Sequence, residues 1–196
     1  MILKIASIWT PDFILKKELD KIALATINGL DKLLKKHKLI KVEEIPEEEF
    51  NGSLEERRAS MAIAHNRRVK GLIKGLGYEK AIKVGRKAMF KEGYGLGCEA
   101  RRKLRLGDDI KDLELAAKIL YKILGIDFKI ENKDGNMIMV VNRCALSKYY
   151  PKETCMVLSA ADEGVVHGLN ENMNMQFKQR ITSGSPECIA HIKVKR

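Results

Sequence analysis

The chain is poor in three features that would define other classes of protein: long hydrophobic runs, cysteine and aromatic residues. Apolar runs such as Met137–Val141 are far shorter than the roughly 20 residues that cross a bilayer. The first residues reach Pro11 and Asp12 too soon to form a secretory signal. Four cysteines in 196 residues are too few for a secreted disulfide scaffold. We therefore expect a cytoplasmic protein with reduced thiols and no membrane partner.

The composition that remains is typical of one globular domain. Hydrophobic residues make up 45% of the chain and charged residues 32%, and this combination excludes wholesale disorder. A chain of 196 residues is close to the usual size of a single domain. We expect residues 1–54 to form an N-terminal helix and an acidic linker, joined to a main unit over 55–196.

Hydrophobic spacing predicts a helical N-terminal two-thirds. Apolar residues recur at helical spacing, and Ser53 with Glu56 resembles a capping box that opens the second helix. Gly85, Gly93, Gly95 and Gly97 weaken the third helix, so we expect close helix packing over small residues or a kink beside a ligand. The predicted helices cover 12–37, 54–72, 78–105 and 109–124.

After Gly125 the apolar period changes from 3.6 to 2. Residues 126–130 alternate, and a turn around Asp134-Gly135 leads into residues 137–143, which predicts a hairpin. A helix over 152–168 follows, then a strand from Met173 to Ile181 and a last strand from Cys188 to Val194. The predicted fold class is α+β, with the helices packed on a C-terminal antiparallel ββαββ unit.

Almost the whole net charge of +11 lies in one segment. Residues 66–105 hold thirteen Lys or Arg against three Glu, a net of +10. This basic segment could attract a small anionic molecule, a nucleic acid or the acidic run at 43–49 of the same or another copy. Only three aromatic residues accompany it, and no nucleic-acid-binding signature occurs, so a small anionic molecule is the favoured partner. The opposite charges and amphipathic helices also allow a homodimer.

Three cysteines stand at ends of the predicted C-terminal elements. Cys144 follows a strand, Cys155 begins the helix and Cys188 follows the Gly184-Ser185-Pro186 turn, so the three could converge. Together they could hold zinc or an iron–sulfur cluster, although each also fits a buried core thiol. On the helix, Cys155 is followed at intervals of four by Ser159, Glu163 and His167, which form either a reactive stripe or a solvated face.

The same residues carry a family resemblance. Arg143-Cys144, Cys155 and the Gly-x-Pro-x-Cys pattern that ends at Cys188 resemble the L-2-amino-thiazoline-4-carboxylic acid hydrolase-like family, as do Leu76-Gly77-Tyr78 and residues 93–99. The likeness covers about 55–196. The terminal pattern is also similar to 4-vinyl reductase domains of the heme-NO-binding and trafficking-protein fold group. In those sensor domains the cysteine that ends this pattern binds zinc, and Cys188 matches it here. Another zinc-binding cysteine lies eight residues earlier in the sensor domains, where this chain has Arg180.

The resemblance implies hydrolysis of a C=N bond in a small, anionic, sulfur-containing ring. We expect catalytic roles for Cys155, Glu163 and His167, and a metal or nucleophilic role for Cys144, Cys155 and Cys188. High charge density suggests Arg86, Arg101 and Arg102 as residues that bind the substrate carboxylate. The alternative is a non-catalytic sensor module that binds a small molecule, a metal or an iron–sulfur cluster.

Overall fold

The computed structural model describes residues 10–39, 48–133 and 136–194, and within these the chain is α+β as predicted. Five α-helices and four β-strands follow one another in a helical part and a ββαββ part. The helices are α1 (Asp12–Lys36), α2 (Leu54–Leu76), α3 (Tyr78–Leu104), α4 (Ile110–Leu124) and α5 (Lys152–Leu169). The strands are β1 (Ile126–Lys133), β2 (Asn136–Cys144), β3 (Met173–Gln179) and β4 (Cys188–Val194).

Local chemistry explains where these helices begin and end. The Ser53 hydroxyl accepts a hydrogen bond from the Glu56 N–H, and the Ser53 N–H donates to the Glu56 carboxylate, so the predicted capping box is confirmed. The Asp109 side chain caps α4 by accepting from the Lys111 N–H at 2.8 Å. Gly125 ends α4 with a φ of +71°, a conformation that glycine adopts without a Cβ clash.

The four strands form one antiparallel sheet in the order β1-β2-β4-β3. Val141 on β2 pairs with Cys188 on β4, so the end of β2 and the start of β4 lie side by side. The predicted third strand was too long, because Ile181 belongs to a short 3-10 turn (Ile181–Ser183) and not to β3. Next to this turn, the Arg180 side chain contacts Ser159 on α5.

Helices α3 and α5 pack with unusually close backbones. A Cβ added to Gly93 would overlap the carbonyl oxygen of Ala161, and one added to Gly164 would overlap that of Phe90. The packing interpretation of the glycines in α3 is therefore confirmed at Gly93 and Gly97, whereas Gly95 faces open space. Close packing between the two helices compensates for the low helix propensity of these glycines.

The apolar core has three parts that share helices. One lies between α4, α5 and the sheet, a second joins the C-terminal half of α1 to α2, α3 and α5, and a third joins α1 and α2 to α4. Helix α1 thus packs directly on the main unit. No helix in the described part of the chain is long and apolar enough to span a membrane.

Candidate functional site

A cavity of about 150 Å³ lies between the helices and the sheet. We call it the central cavity. Most of its walls are apolar side chains from all five helices and from β2 and β4, including Leu96, Leu120, Val141 and Leu158. A cavity of this volume holds a ring of about the size of benzene. The wall contributed by α1 and α3 is held by ion pairs that Lys21 and Lys103 make with Glu99.

All three predicted cysteines line this cavity. Cys144 ends β2, Cys155 lies in the first turn of α5 and Cys188 begins β4, so the element ends do converge. Burial raises the pKa of Cys144 to about 12, and burial also raises the pKa values of Cys155 and Cys188. At neutral pH the three groups are therefore protonated thiols, which behave as small apolar side chains.

Within the described part of the chain, the potential metal donors of the cavity do not form a site for a metal ion. Among the residues that the structure describes, no group of three or more His, Cys, Asp or Glu side chains is close enough to hold one. Protonated thiols also bind metals poorly, because the ligand form is the thiolate. The zinc or iron–sulfur centre remains a prediction that the donor geometry does not support.

Asp162 is the titratable group that sequence reasoning missed. It lies on α5 and lines the central cavity, next to the buried ring of Tyr121. Burial, and then the negative charge of Glu163, raise the pKa of Asp162 to about 7. A carboxyl group with a pKa near neutrality can take up and release a proton at working pH, as general acid–base catalysis requires.

Arg180 places a positive charge at the cavity wall. Its Nε and Nη2 donate to the Ser159 hydroxyl at 3.2 and 3.1 Å, and its guanidinium lies 5.4 Å from the centre of the Phe177 ring. Within the described residues no carboxylate lies within the 4.0 Å of an ion pair to it. Burial lowers the pKa of Arg180 without neutralising it. The cavity therefore contains a half-buried guanidinium that makes no direct ion pair with a described carboxylate, although Asp162 and Glu163 lie near enough to interact with its charge.

Two further hydroxyl groups line the cavity. The Tyr121 hydroxyl interacts with the Asp162 carboxyl group, and the Thr182 hydroxyl interacts with the Cys155 thiol. Tyr121 is only 4% exposed. Both contacts favour the charged forms of Asp162 and Cys155, so they oppose the rise that burial causes in the two pKa values.

The other predicted site residues lie outside the cavity lining. Glu163 accepts from Arg86 at 2.7 Å, and the Arg86 Nη1 donates to the Met156 carbonyl, so this pair links α3 to α5. His167 Nδ1 lies 3.0 Å from the Met173 carbonyl, and the centre of its ring lies 5.9 Å from that of Phe90 and 5.7 Å from that of Tyr94. The cavity-facing stripe of α5 follows positions 155, 159, 162 and 165 instead.

The remaining two arginines lie on the C-terminal part of α3. Arg101 donates to the Leu169 carbonyl and to Asp108, both at 2.9 Å, and Arg102 is exposed. Neither is among the described residues that line the cavity. Their predicted role in substrate binding stays a prediction, and the geometry offers Arg180 in their place.

The fold and cavity define a class: α+β proteins in which helices and an antiparallel sheet enclose a small, mostly apolar cavity with a few polar groups. Within it, this chain belongs to the L-2-amino-thiazoline-4-carboxylic acid hydrolase family, whose sequence profile matches residues 55–192. The predicted family is confirmed. A search of curated proteins finds no sequence match.

Solved structures show the same fold at low sequence identity. A trafficking protein particle complex subunit 3 from Naegleria fowleri, covalently bound to palmitic acid, is 22% identical, with a TM-score of 0.56 over 71% of this chain and 95% of that one. The phenol-responsive sensory domain of the transcription activator PoxR, solved with phenol, is 14% identical, with a TM-score of 0.50 over 70% of this chain and 74% of that one. These likenesses show that the chain shares its fold with these two proteins.

Proposed function

We propose that the protein hydrolyses a C=N bond in a small anionic ring held in the central cavity. The observation that carries this proposal is the Arg180 guanidinium, which faces the cavity without a described carboxylate partner. A carboxylate on the ring would complete its coordination through charge-assisted hydrogen bonds. The volume of about 150 Å³ limits the ligand to a five- or six-membered ring with small substituents.

Asp162 is the proposed acid–base group. Hydrolysis begins when water adds to the carbon of the C=N bond, and the Asp162 carboxylate takes a proton from this water. The protonated carboxyl gives this proton to the ring nitrogen, which leaves a neutral adduct with a hydroxyl group on the carbon. Asp162 then moves the proton of this hydroxyl to the nitrogen, so a C=O bond forms as the carbon–nitrogen bond breaks and the ring opens. A pKa of about 7 suits one group to both steps. The apolar walls strengthen these electrostatic interactions by excluding bulk water.

The three thiols have a different proposed role from the one that the sequence suggests. As neutral groups, Cys144, Cys155 and Cys188 would pack against a sulfur-containing ring with the neighbouring aliphatic side chains. We expect Cys155→Ala to keep the turnover of 2-amino-2-thiazoline-4-carboxylate within about tenfold of wild type, since it removes packing and no charge. Complete loss in a folded variant would instead identify Cys155 as the nucleophile.

A second candidate function is a ligand-binding module without catalysis. The mainly apolar cavity favours it, and so does the fold shared with the phenol-responsive sensory domain. Such a module would bind 2-amino-2-thiazoline-4-carboxylate at one molecule per chain and return it unchanged. Mass spectrometry of the recovered compound separates the two functions.

Arg180→Met tests the proposed binding of the carboxylate. We expect KM for 2-amino-2-thiazoline-4-carboxylate to rise by about 10- to 100-fold, because the variant loses a charged hydrogen bond at a partly buried site. Arg67→Met is the matched control, since the Arg67 side chain is 56% exposed and lies outside the cavity lining. An equal KM for both variants would remove Arg180 from the substrate site.

A further inference from the structure

A buried chain of hydrogen bonds runs from α1 to the cavity wall. Thr26 Oγ lies 2.9 Å from His65 Nε2, and His65 Nδ1 lies 2.7 Å from the Tyr150 hydroxyl. Thr26 and His65 are 3% and 1% exposed, so bulk water does not compete with these contacts. All three residues line the central cavity, with Tyr150 in the segment just before α5.

The surroundings of Thr26 fix the direction of the first bond. Its Oγ lies 2.8 Å from the Ile22 carbonyl and 3.0 Å from the Ala23 carbonyl. Carbonyl oxygens only accept, so the single hydroxyl hydrogen of Thr26 is directed at them. The remaining lone pairs of Oγ face His65, and the Nε2–H of His65 therefore donates to Thr26.

The second bond then has only one possible direction. Burial and the nearby Arg68 charge lower the pKa of His65 to about 3, so the imidazole is neutral and carries one N–H. Since that hydrogen is on Nε2, Nδ1 is an acceptor and the Tyr150 hydroxyl donates to it. The hydrogen of Tyr150 is thus engaged, and its oxygen offers only lone pairs to a molecule in the cavity.

We infer that Thr26 is a positioning residue that acts through His65 to make Tyr150 a hydrogen-bond acceptor toward the ligand. The cavity should therefore prefer small anionic rings with an N–H donor over rings of the same shape with an acceptor at that position. This inference rests on the proposed use of the cavity as a binding site and not on the proposed reaction. Thr26 precedes residues 55–192, so α1 adds this element to the part matched by the family.

Two planar carboxylates of nearly equal size test the preference. Pyrrole-2-carboxylate carries a ring N–H, whereas furan-2-carboxylate has a ring oxygen at the same place. Calorimetry on the wild-type protein should show about tenfold or greater preference for the pyrrole, because the furan leaves two acceptors facing each other. Equal affinity, or binding of neither compound, would overturn the inference.

Variants at Thr26 test the positioning step. In Thr26→Val the acceptor for the Nε2–H is lost, so the proton should move to Nδ1 and the Tyr150 hydrogen should turn into the cavity. The preference for the pyrrole should then disappear or invert, whereas Thr26→Ser should keep it. A Thr26→Val protein that folds and keeps the wild-type preference would contradict the role of Thr26.

Heteronuclear NMR of the imidazole nitrogens reads the tautomer of His65 directly. Wild type and Thr26→Ser should show Nε2–H, and this measurement needs neither ligand nor turnover. An Nδ1–H tautomer in wild type would overturn the inference even if 2-amino-2-thiazoline-4-carboxylate is hydrolysed. Conversely, absence of hydrolysis with the expected tautomer and probe preference would refute only the proposed reaction.

Discussion

Replacing Gly93 with alanine should destabilise the protein by about 3 kcal/mol or more, the upper end of overpacking costs. The added methyl group would overlap the backbone carbonyl of Ala161 on α5. A backbone atom cannot rotate away as a side chain can, so α3 and α5 would have to separate. The contact repeats along both helices, since a Cβ on Gly97 would overlap the Val165 carbonyl. Urea denaturation followed by circular dichroism measures the change.

Gly95→Ala provides the matched control two residues away. Gly95 is exposed, and nothing lies within 4 Å of an added Cβ. The substitution should stabilise the protein by about 0.5–1 kcal/mol through helix propensity alone. If Gly93→Ala and Gly95→Ala changed the free energy of unfolding by the same amount, this result would contradict the close packing of α3 against α5.

Much of the fold could be predicted because its boundaries are local. Ser53 caps α2 through its own neighbour Glu56, and Gly125 ends α4 by adopting a positive φ. Neither effect needs a distant contact. The end of β3 was less predictable, since Ile181 continues the alternation but its N–H donates to the Cys188 Sγ at 3.3 Å. This tertiary contact occurs in the 3-10 turn, and the alternation of apolar and polar residues cannot predict it.

The candidate site was only partly predictable for a related reason. The chain has only four cysteines. Three of them stand at the ends of predicted elements, so the sequence alone suggests that Cys144, Cys155 and Cys188 meet. Asp162 carried a weaker signal, because its spacing from Cys155 is seven residues and intervals of four select Glu163 instead. The helix rotates 100° per residue, so strict intervals of four drift off the face that meets the cavity.

Arg180 has a role in the structure that its position in the sequence does not suggest. In the sequence it marks the absence of a cysteine in the sensor-type zinc set. In the structure it brings a cation to the wall that Cys155 and Cys188 share, and it binds the Ser159 hydroxyl. The sequence does not show this contact, because Arg180 and Ser159 are distant in sequence and meet only in the folded protein.

Asp162→Asn should lower kcat for 2-amino-2-thiazoline-4-carboxylate by about 10²- to 10⁴-fold, the usual contribution of a general acid–base group. The amide has nearly the same shape but cannot exchange a proton at neutral pH. In wild type, kcat/KM should rise with pH and level off above about 7, where the carboxylate base predominates. Glu163→Gln tests the electrostatic contribution to this profile. Without the Glu163 charge the pKa of Asp162 should fall, so the midpoint should move to lower pH.

The stability of the same variant checks the titration without a substrate. Burial raises the pKa of Asp162 from 3.8 to about 7, so the folded state binds the proton more tightly than the unfolded state. The resulting stabilisation is complete below the unfolded pKa and is lost as pH rises through about 7. Relative to Asp162→Asn, wild type should therefore lose stability between about pH 4 and pH 8.

His65 contributes an opposite slope at acid pH, because its pKa is lowered in the folded protein. It is present in both proteins, so its effect cancels in the difference between their Tm values. A difference that does not change with pH would mean that Asp162 keeps an ordinary pKa in the cavity. Its assignment as an acid–base group matched to neutral pH would then fail, because a carboxylate with an ordinary pKa is a much weaker base toward water and would give no pH profile with a midpoint near 7.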